Sequence, residues 1–145
     1  MLKKTITYSD FNGNKRTEDF YFNLSEAELA QLQLSENGGY TEWVQDIANA
    51  GDNKTLAQIF KDIIMLAYGE KSTDGKYFFK QDPDGRSLAN RFAQTEAFSV
   101  LYMELITDTD AASAFMNGII PEELKKKAAE AKAANDTSMH PALKA

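Results

Sequence analysis

Few residues in this chain could do chemistry. The single histidine, His140, lies near the C-terminus, so a Ser-His-Asp triad or a histidine-based metal site has almost nothing to be built from. The chain has no cysteine, which excludes disulfides, thiolate ligands and cysteine nucleophiles. It also has no glycine-rich phosphate loop and no dinucleotide fingerprint. We therefore expect a protein that is not an enzyme and that needs neither a cofactor nor a metal.

Two carboxylate pairs are close enough in sequence to act as general acid and base. Asp82 and Asp84 are separated by one residue, as are Asp108 and Asp110. Each pair has a simpler structural interpretation, because the first lies in a turn sequence and the second in a helix start signal. The first pair also resembles a calcium loop, but Gly85 comes too early for an EF-hand and no glutamate follows at the required distance.

The helix best determined by the sequence covers residues 54–68. Its apolar residues fill a broad face, which predicts a helix covered on more than one side. Asp52 or Asn53 can cap its first turn, and Gly69 can end it in the left-handed conformation. We expect a charge placed at Ile63 to unfold the domain.

An N-terminal β-hairpin is predicted over residues 5–24 from the alternation of apolar and polar residues. The apolar residues that should share its core face are all even-numbered: Ile6, Tyr8, Phe20, Phe22 and Leu24. They share a face only if paired residues have the same parity, which requires a loop of three or five residues near Asn12-Gly13. Tyr21 then points away from the core face, as a contact residue or beneath a covering helix.

Helices are predicted through most of residues 25–120. A Ser25–Glu28 capping box begins a helix that runs to about Leu34, and a second helix covers about residues 41–50. Residues 77–79 are predicted to form either a short strand or an extended loop. A further helix begins at Asp108 and ends at Gly118.

Residues 88–106 are apolar nearly all round if they form one helix. A new start at Thr95 would separate a short helix from a second helix with one apolar stripe. The members of that stripe are Phe98, Leu101, Tyr102, Leu105 and Ile106. The sequence does not decide between one kinked helix and two helices separated by a break.

These elements predict one domain over residues 1–120 and a charged, Ala- and Lys-rich tail over residues 121–145. A chain of 145 residues with 43% hydrophobic content can bury one core. The predicted fold class is α+β, mainly α, with the hairpin followed by a bundle of about five to six helices. We expect the tail to be a fraying helix or disordered, because it has no apolar face.

The charge of the chain disfavours some partners. The net charge of −6 argues against nucleic acid, and no segment approaches the ~20 apolar residues of a membrane span. The first 120 residues carry 11 basic and 18 acidic side chains. Such an acidic body is typical of a well-solvated surface or of one that binds a basic partner.

Protein contact is therefore the best candidate activity. Apolar residues beside helix ends, or in the polar strip of the central helix, could receive a partner helix or could complete the core. The candidate contact residues are Met65, Phe115, Met116, Ile119, Ile120, Tyr40 and Trp43.

Four stretches form a pattern that extends in order over residues 1–121. They are the hairpin sequence of residues 4–24, Ile59-Phe60-Lys61-Asp62-Ile63-Ile64 with Ala67-Tyr68-Gly69-Glu70, Gln94-Thr95-Glu96-Ala97-Phe98, and Phe115-Met116-Asn117-Gly118-Ile119-Ile120-Pro121. Together they resemble the tail assembly chaperones encoded by long-tailed phages and prophages of Gram-positive bacteria.

The resemblance implies a chaperone that coats the tape measure protein until tail tube subunits polymerise around it. It also implies self-association, a location in the cytoplasm of the infected or lysogenic host, and absence from the mature virion. A longer product of ribosomal frameshifting, which adds a domain that recruits tube protein, is implied as well. Two alternatives stay open: a structural tail or neck protein retained in the virion, and a small adaptor that binds a host protein.

Overall fold

A computed structural model of the chain describes residues 1–31 and 53–121. Its four strands are β1 Leu2–Ser9, β2 Lys15–Phe22, β3 Tyr68–Lys71 and β4 Phe78–Phe79. Its five helices are α1 Glu26–Gln31, α2 Asn53–Ala67, α3 Leu88–Phe92, α4 Glu96–Thr107 and α5 Thr109–Gly118. The counts refer to the described residues.

The predicted fold class is correct as α+β but wrong as mainly α. The N-terminal hairpin does not stand alone, because β3 and β4 extend it to an antiparallel sheet with the order β1-β2-β3-β4. The added strands pair through Tyr21 with Gly69 and through Glu70 with Phe79. Residues 77–79, for which a strand and a loop were both open, thus supply the edge strand β4.

The end of α2 explains why the sequence did not reveal β3. The helix ends at Ala67 and the chain enters β3 directly at Tyr68. Gly69 is not among the glycines with positive φ, so the predicted left-handed cap is wrong. Gly69 instead lets β3 lie very close to β4. A Cβ at this position would lie 2.5 Å from Cε2 of Phe78 and 2.7 Å from the carbonyl oxygen of Phe79.

The register of the first hairpin is as predicted from parity. Leu2 pairs with Phe22 and Ser9 with Lys15, so every pair joins residues of the same parity. The loop closes through a hydrogen bond from the Asp10 amide to the Asn14 carbonyl at 2.8 Å, and φ of Gly13 is 82°. The loop therefore has the odd length that the alternation required, and Gly13 takes the left-handed conformation within it.

The core lies between one face of the sheet and the helices. Phe22 is fully buried and its ring contacts three others, with centroid distances of 5.6 Å to Tyr68, 5.8 Å to Phe92 and 5.2 Å to Phe115. Since these rings belong to four different elements, the hairpin and the helices share a single core.

Side chains cap the helices where the sequence indicates. The Ser25 hydroxyl accepts a hydrogen bond from the Glu28 amide at 3.1 Å, and the Glu28 carboxylate accepts one from the Ser25 amide at 3.0 Å. Thr95 caps α4, so residues 88–106 form two helices rather than one. Asp108 caps α5 by accepting hydrogen bonds from two backbone amides.

Several predictions lie outside the described residues. They are the end of the first helix near Leu34, the helix over residues 41–50, and the tail beyond Pro121. Among the helices of residues 1–31 and 53–121, none combines the length and the apolar character needed to cross a membrane.

Candidate interaction surfaces

The carboxylate pairs serve as turn and cap residues in the structure. Asp82 accepts hydrogen bonds from the backbone amides of Asp84 and Arg86, both at 2.9 Å. Asp108 accepts the amides of Asp110 and Ala111 at 3.0 and 3.2 Å. Within the described ranges, no cluster of three or more histidine, aspartate or glutamate side chains is arranged to hold a metal ion.

Most of the predicted contact residues lie in the core. Phe115, Met116, Ile119 and Ile120 are all buried, the alternative that the sequence also allowed. They form no exposed patch, and a contact role for them, which would require them to leave the core, stays a prediction. Met65 is half-buried against the core, and Tyr40 and Trp43 lie outside the described residues.

An exposed apolar surface lies instead on α4. Val100, Met103 and Ile106 are 41%, 53% and 38% exposed, and their spacing of three residues places them along one side of the helix. We call these three residues the α4 stripe. Ile106, which the sequence placed in the buried stripe, belongs to this exposed one.

The rest of the molecule fixes α4 in place. It packs against β1, α2 and α5, with Leu101 and Leu105 buried on its inner side. The Tyr102 hydroxyl donates a hydrogen bond to the Ala57 carbonyl of α2 at 2.9 Å, and Lys4 of β1 pairs with Glu104 at 3.1 Å. Contacts on several sides make the α4 stripe part of a rigid surface.

A cleft opens where β2 and β3 diverge. It lies between residues 18–21 and residues 68–71 and has a volume of about 330 Å³. We call it the β2–β3 cleft. Burial and the neighbouring Glu70 carboxylate raise the pKa of the Tyr68 hydroxyl at this cleft to about 12.

Lys80 connects α1, the end of α2 and the residue that follows β2. Its ammonium group donates hydrogen bonds to the carbonyl oxygens of Leu66 at 2.7 Å and Asn23 at 3.0 Å, and lies 3.4 Å from the Glu28 carboxylate. Burial lowers the pKa of Lys80, and the ion pair with Glu28 opposes that shift.

Sequence reasoning missed both the α4 stripe and the cleft. The apolar composition of residues 88–106 was the available signal for the stripe, since a helix that is apolar all round must have more neighbours than a small domain supplies. Which side stays uncovered depends on how β1, α2 and α5 pack, and this is not local information. The cleft required β3, which the sequence did not reveal.

Comparison with known proteins places the chain in a family. A family model described as a phage tail assembly chaperone matches residues 1–144. Neither a curated protein nor a solved structure matches the chain significantly. The family match extends over nearly all of the 145 residues, including the four stretches on which the resemblance was based. The chain therefore belongs to the family of phage tail assembly chaperones.

Proposed function

We propose that this chaperone binds the tape measure protein and keeps it soluble until tail tube subunits assemble around it. The α4 stripe is the observation that carries the proposal. It presents three apolar side chains on a helix braced by β1, α2 and α5. A tape measure protein is long and helical, and an amphipathic helix could lay its apolar face on such a surface.

A single contact of this size would be weak. The stripe spans seven residues of helix, with about 9 Å along the axis between its first and last residue. Full burial of each large apolar side chain stabilises a complex by about 1.5–3 kcal/mol, and association costs take back much of that. Several copies bound along one tape measure protein would hold it through avidity, and self-association of the chaperone would strengthen the effect.

Weak individual contacts also suit the release step. Tail tube subunits that polymerise around the tape measure protein would displace the chaperone copies one at a time. The proposal accordingly includes recruitment of tube subunits, action in the cytoplasm of the host and absence from the finished virion. It also includes a long-tailed phage or prophage of a Gram-positive bacterium as the source, supported by the resemblance over residues 4–121.

Co-expression with the cognate tape measure protein tests the proposal. We expect the tape measure protein to be mostly soluble with the wild-type chain and mostly insoluble without it. Equal solubility with and without this chain would show that the proposed function is wrong. Detection of the chain in purified virions by mass spectrometry would favour a structural tail protein instead.

A double substitution tests the surface separately from the function. Val100→Asp with Met103→Asp places two charges on the α4 stripe, and we expect it to abolish the solubilising effect. Because both side chains are exposed, the cost to folding is about 1 kcal/mol, and thermal unfolding checks it. Phe11→Asp is the control, since Phe11 is 77% exposed and lies in the loop between β1 and β2 rather than on α4. If the double variant solubilises the tape measure protein as well as wild type does, the stripe is not the binding surface.

A further inference from the structure

The free edge of β2 lies along the β2–β3 cleft. In the described part of the chain, β2 pairs with β3 at Tyr21 and Phe22 alone, whereas β1 runs along its whole length. Among the described residues, residues 15–20 therefore have a neighbouring strand on one side and none on the other. Unpaired backbone groups along such an edge can hydrogen-bond to an added extended segment.

The cleft is acidic. Glu18, Asp19 and Glu70 line it, against one cationic residue, Lys71. Glu18 and Asp19 accept hydrogen bonds from neighbouring side chains of the hairpin, and Glu18 also pairs with Arg16 at 3.5 Å. The Glu70 carboxylate, by contrast, makes no hydrogen bond or ion pair with the side chain or backbone of any other described residue. The cleft thus offers one uncommitted carboxylate in a negative surrounding, which favours a cation.

Tyr68 lines the cleft together with Glu70 and offers a hydroxyl group there. The residue is only 8% exposed, and its ring stacks on Phe92 at a centroid distance of 4.3 Å. Its hydroxyl makes no hydrogen bond with another described residue. Tyr68 and Glu70 line the same cleft, and after burial the Glu70 carboxylate is the main cause of the raised pKa of the hydroxyl. Among the described residues no buried side-chain nitrogen or oxygen lacks a hydrogen-bond partner, so the Tyr68 hydroxyl stays accessible and can accept a hydrogen bond from a ligand in the cleft.

We propose that the β2–β3 cleft binds an extended segment of a partner protein that carries an arginine or lysine side chain. The backbone of the segment pairs with the free edge of β2. The cationic group lies between Glu18 and Glu70 and donates a hydrogen bond to the Tyr68 hydroxyl oxygen. This contact uses none of the α4 stripe residues and therefore goes beyond the proposed function.

Titration with a short peptide, followed by amide NMR spectra, tests the proposal. The probe is acetyl-Val-Arg-Val-amide. The control is the same peptide with citrulline in place of arginine, because citrulline has nearly the shape of arginine without its charge. We expect saturable shifts confined to residues 15–21 and 68–71, with binding about tenfold tighter for the arginine peptide. Equal affinity for both peptides, shifts elsewhere, or no binding at millimolar concentration would each overturn the proposal.

Three variants locate the contact. Glu70→Gln removes the free charge and Tyr68→Phe removes the hydroxyl while keeping the stacked ring, so we expect each to weaken arginine-peptide binding about fivefold to tenfold. Asp84→Asn removes an exposed carboxylate from a turn outside the cleft and should leave binding unchanged. Wild-type affinity in both cleft variants would overturn the proposal. The Val100→Asp, Met103→Asp chain should bind the peptide normally, which separates this test from that of the tape measure interaction.

Discussion

At the scale of single residues, one carboxylate organises the turn between β1 and β2. Asp10 accepts hydrogen bonds from the amides of Asn12 and Asn14, both at 2.9 Å, and from Nε of Arg16 at 2.7 Å. Arg16 and the Asn14 amide hold the pKa of the Asp10 carboxyl below its usual value of 3.8. The ionised form of the Asp10 carboxyl is therefore more favourable in the folded chain than in the unfolded one.

The depressed pKa predicts how the hairpin responds to acid. The folded chain gains stability from ionised Asp10 above pH 3.8, and the gain is lost as the pH falls through the lower pKa of the folded state. We expect the difference in melting temperature between wild type and Asp10→Asn to shrink over that range. Carbon-detected NMR titration of the Asp10 carboxyl should give a pKa below 3.8, and Arg16→Gln should return it toward 3.8. An unshifted pKa in the wild-type chain would contradict the hydrogen-bond geometry.

At the scale of elements, Lys80 connects parts of the chain that are distant in sequence. Lys80→Met keeps an aliphatic side chain but removes the donor to Asn23 and Leu66 and the partner of Glu28. Hydrogen bonds from a charged group typically contribute 1.5–3 kcal/mol, so we expect a loss of about 2 kcal/mol in the free energy of unfolding. Denaturant unfolding measures it.

Lys3→Met is the matched control, since Lys3 is exposed on β1. We expect it to change the free energy of unfolding by no more than about 0.5 kcal/mol. Equal stability losses in the two variants would mean that the contacts of Lys80 are not specific.

The elements also show how far local sequence determines this fold. Parity fixed the register of β1 and β2 because the side-chain period of a strand is two, and the capping box at Ser25 and Glu28 marked the start of α1. The strand β3 escaped prediction because Gly69 has the same local sequence signature as a helix cap. A glycine is needed at this position because a Cβ would collide with the ring of Phe78, nine residues further along the chain. The α4 stripe was missed for a similar reason, because exposure is decided by neighbours that the local pattern does not contain.

At the scale of the molecule, Phe22 joins the sheet to the helices. Its ring contacts Tyr68, Phe92 and Phe115, which lie in β3, α3 and α5. Because a single buried residue touches all of these elements, the hairpin and the helices should unfold together. The molecule then behaves as one cooperative unit that presents the α4 stripe and the β2–β3 cleft on a common scaffold.

Phe22→Ala tests this cooperativity. A fully buried phenylalanine replaced by alanine typically costs 3–5 kcal/mol, so we expect a loss of that size in the free energy of unfolding. Far-ultraviolet circular dichroism and tyrosine fluorescence should show the same, lowered denaturant midpoint. Phe11→Ala removes the same side chain type from the exposed end of the same hairpin, and its effect should stay within about 0.5 kcal/mol. Two separate transitions in the wild-type chain would show that the sheet and the helices form independent units, and the shared core would then not explain the stability of the chaperone.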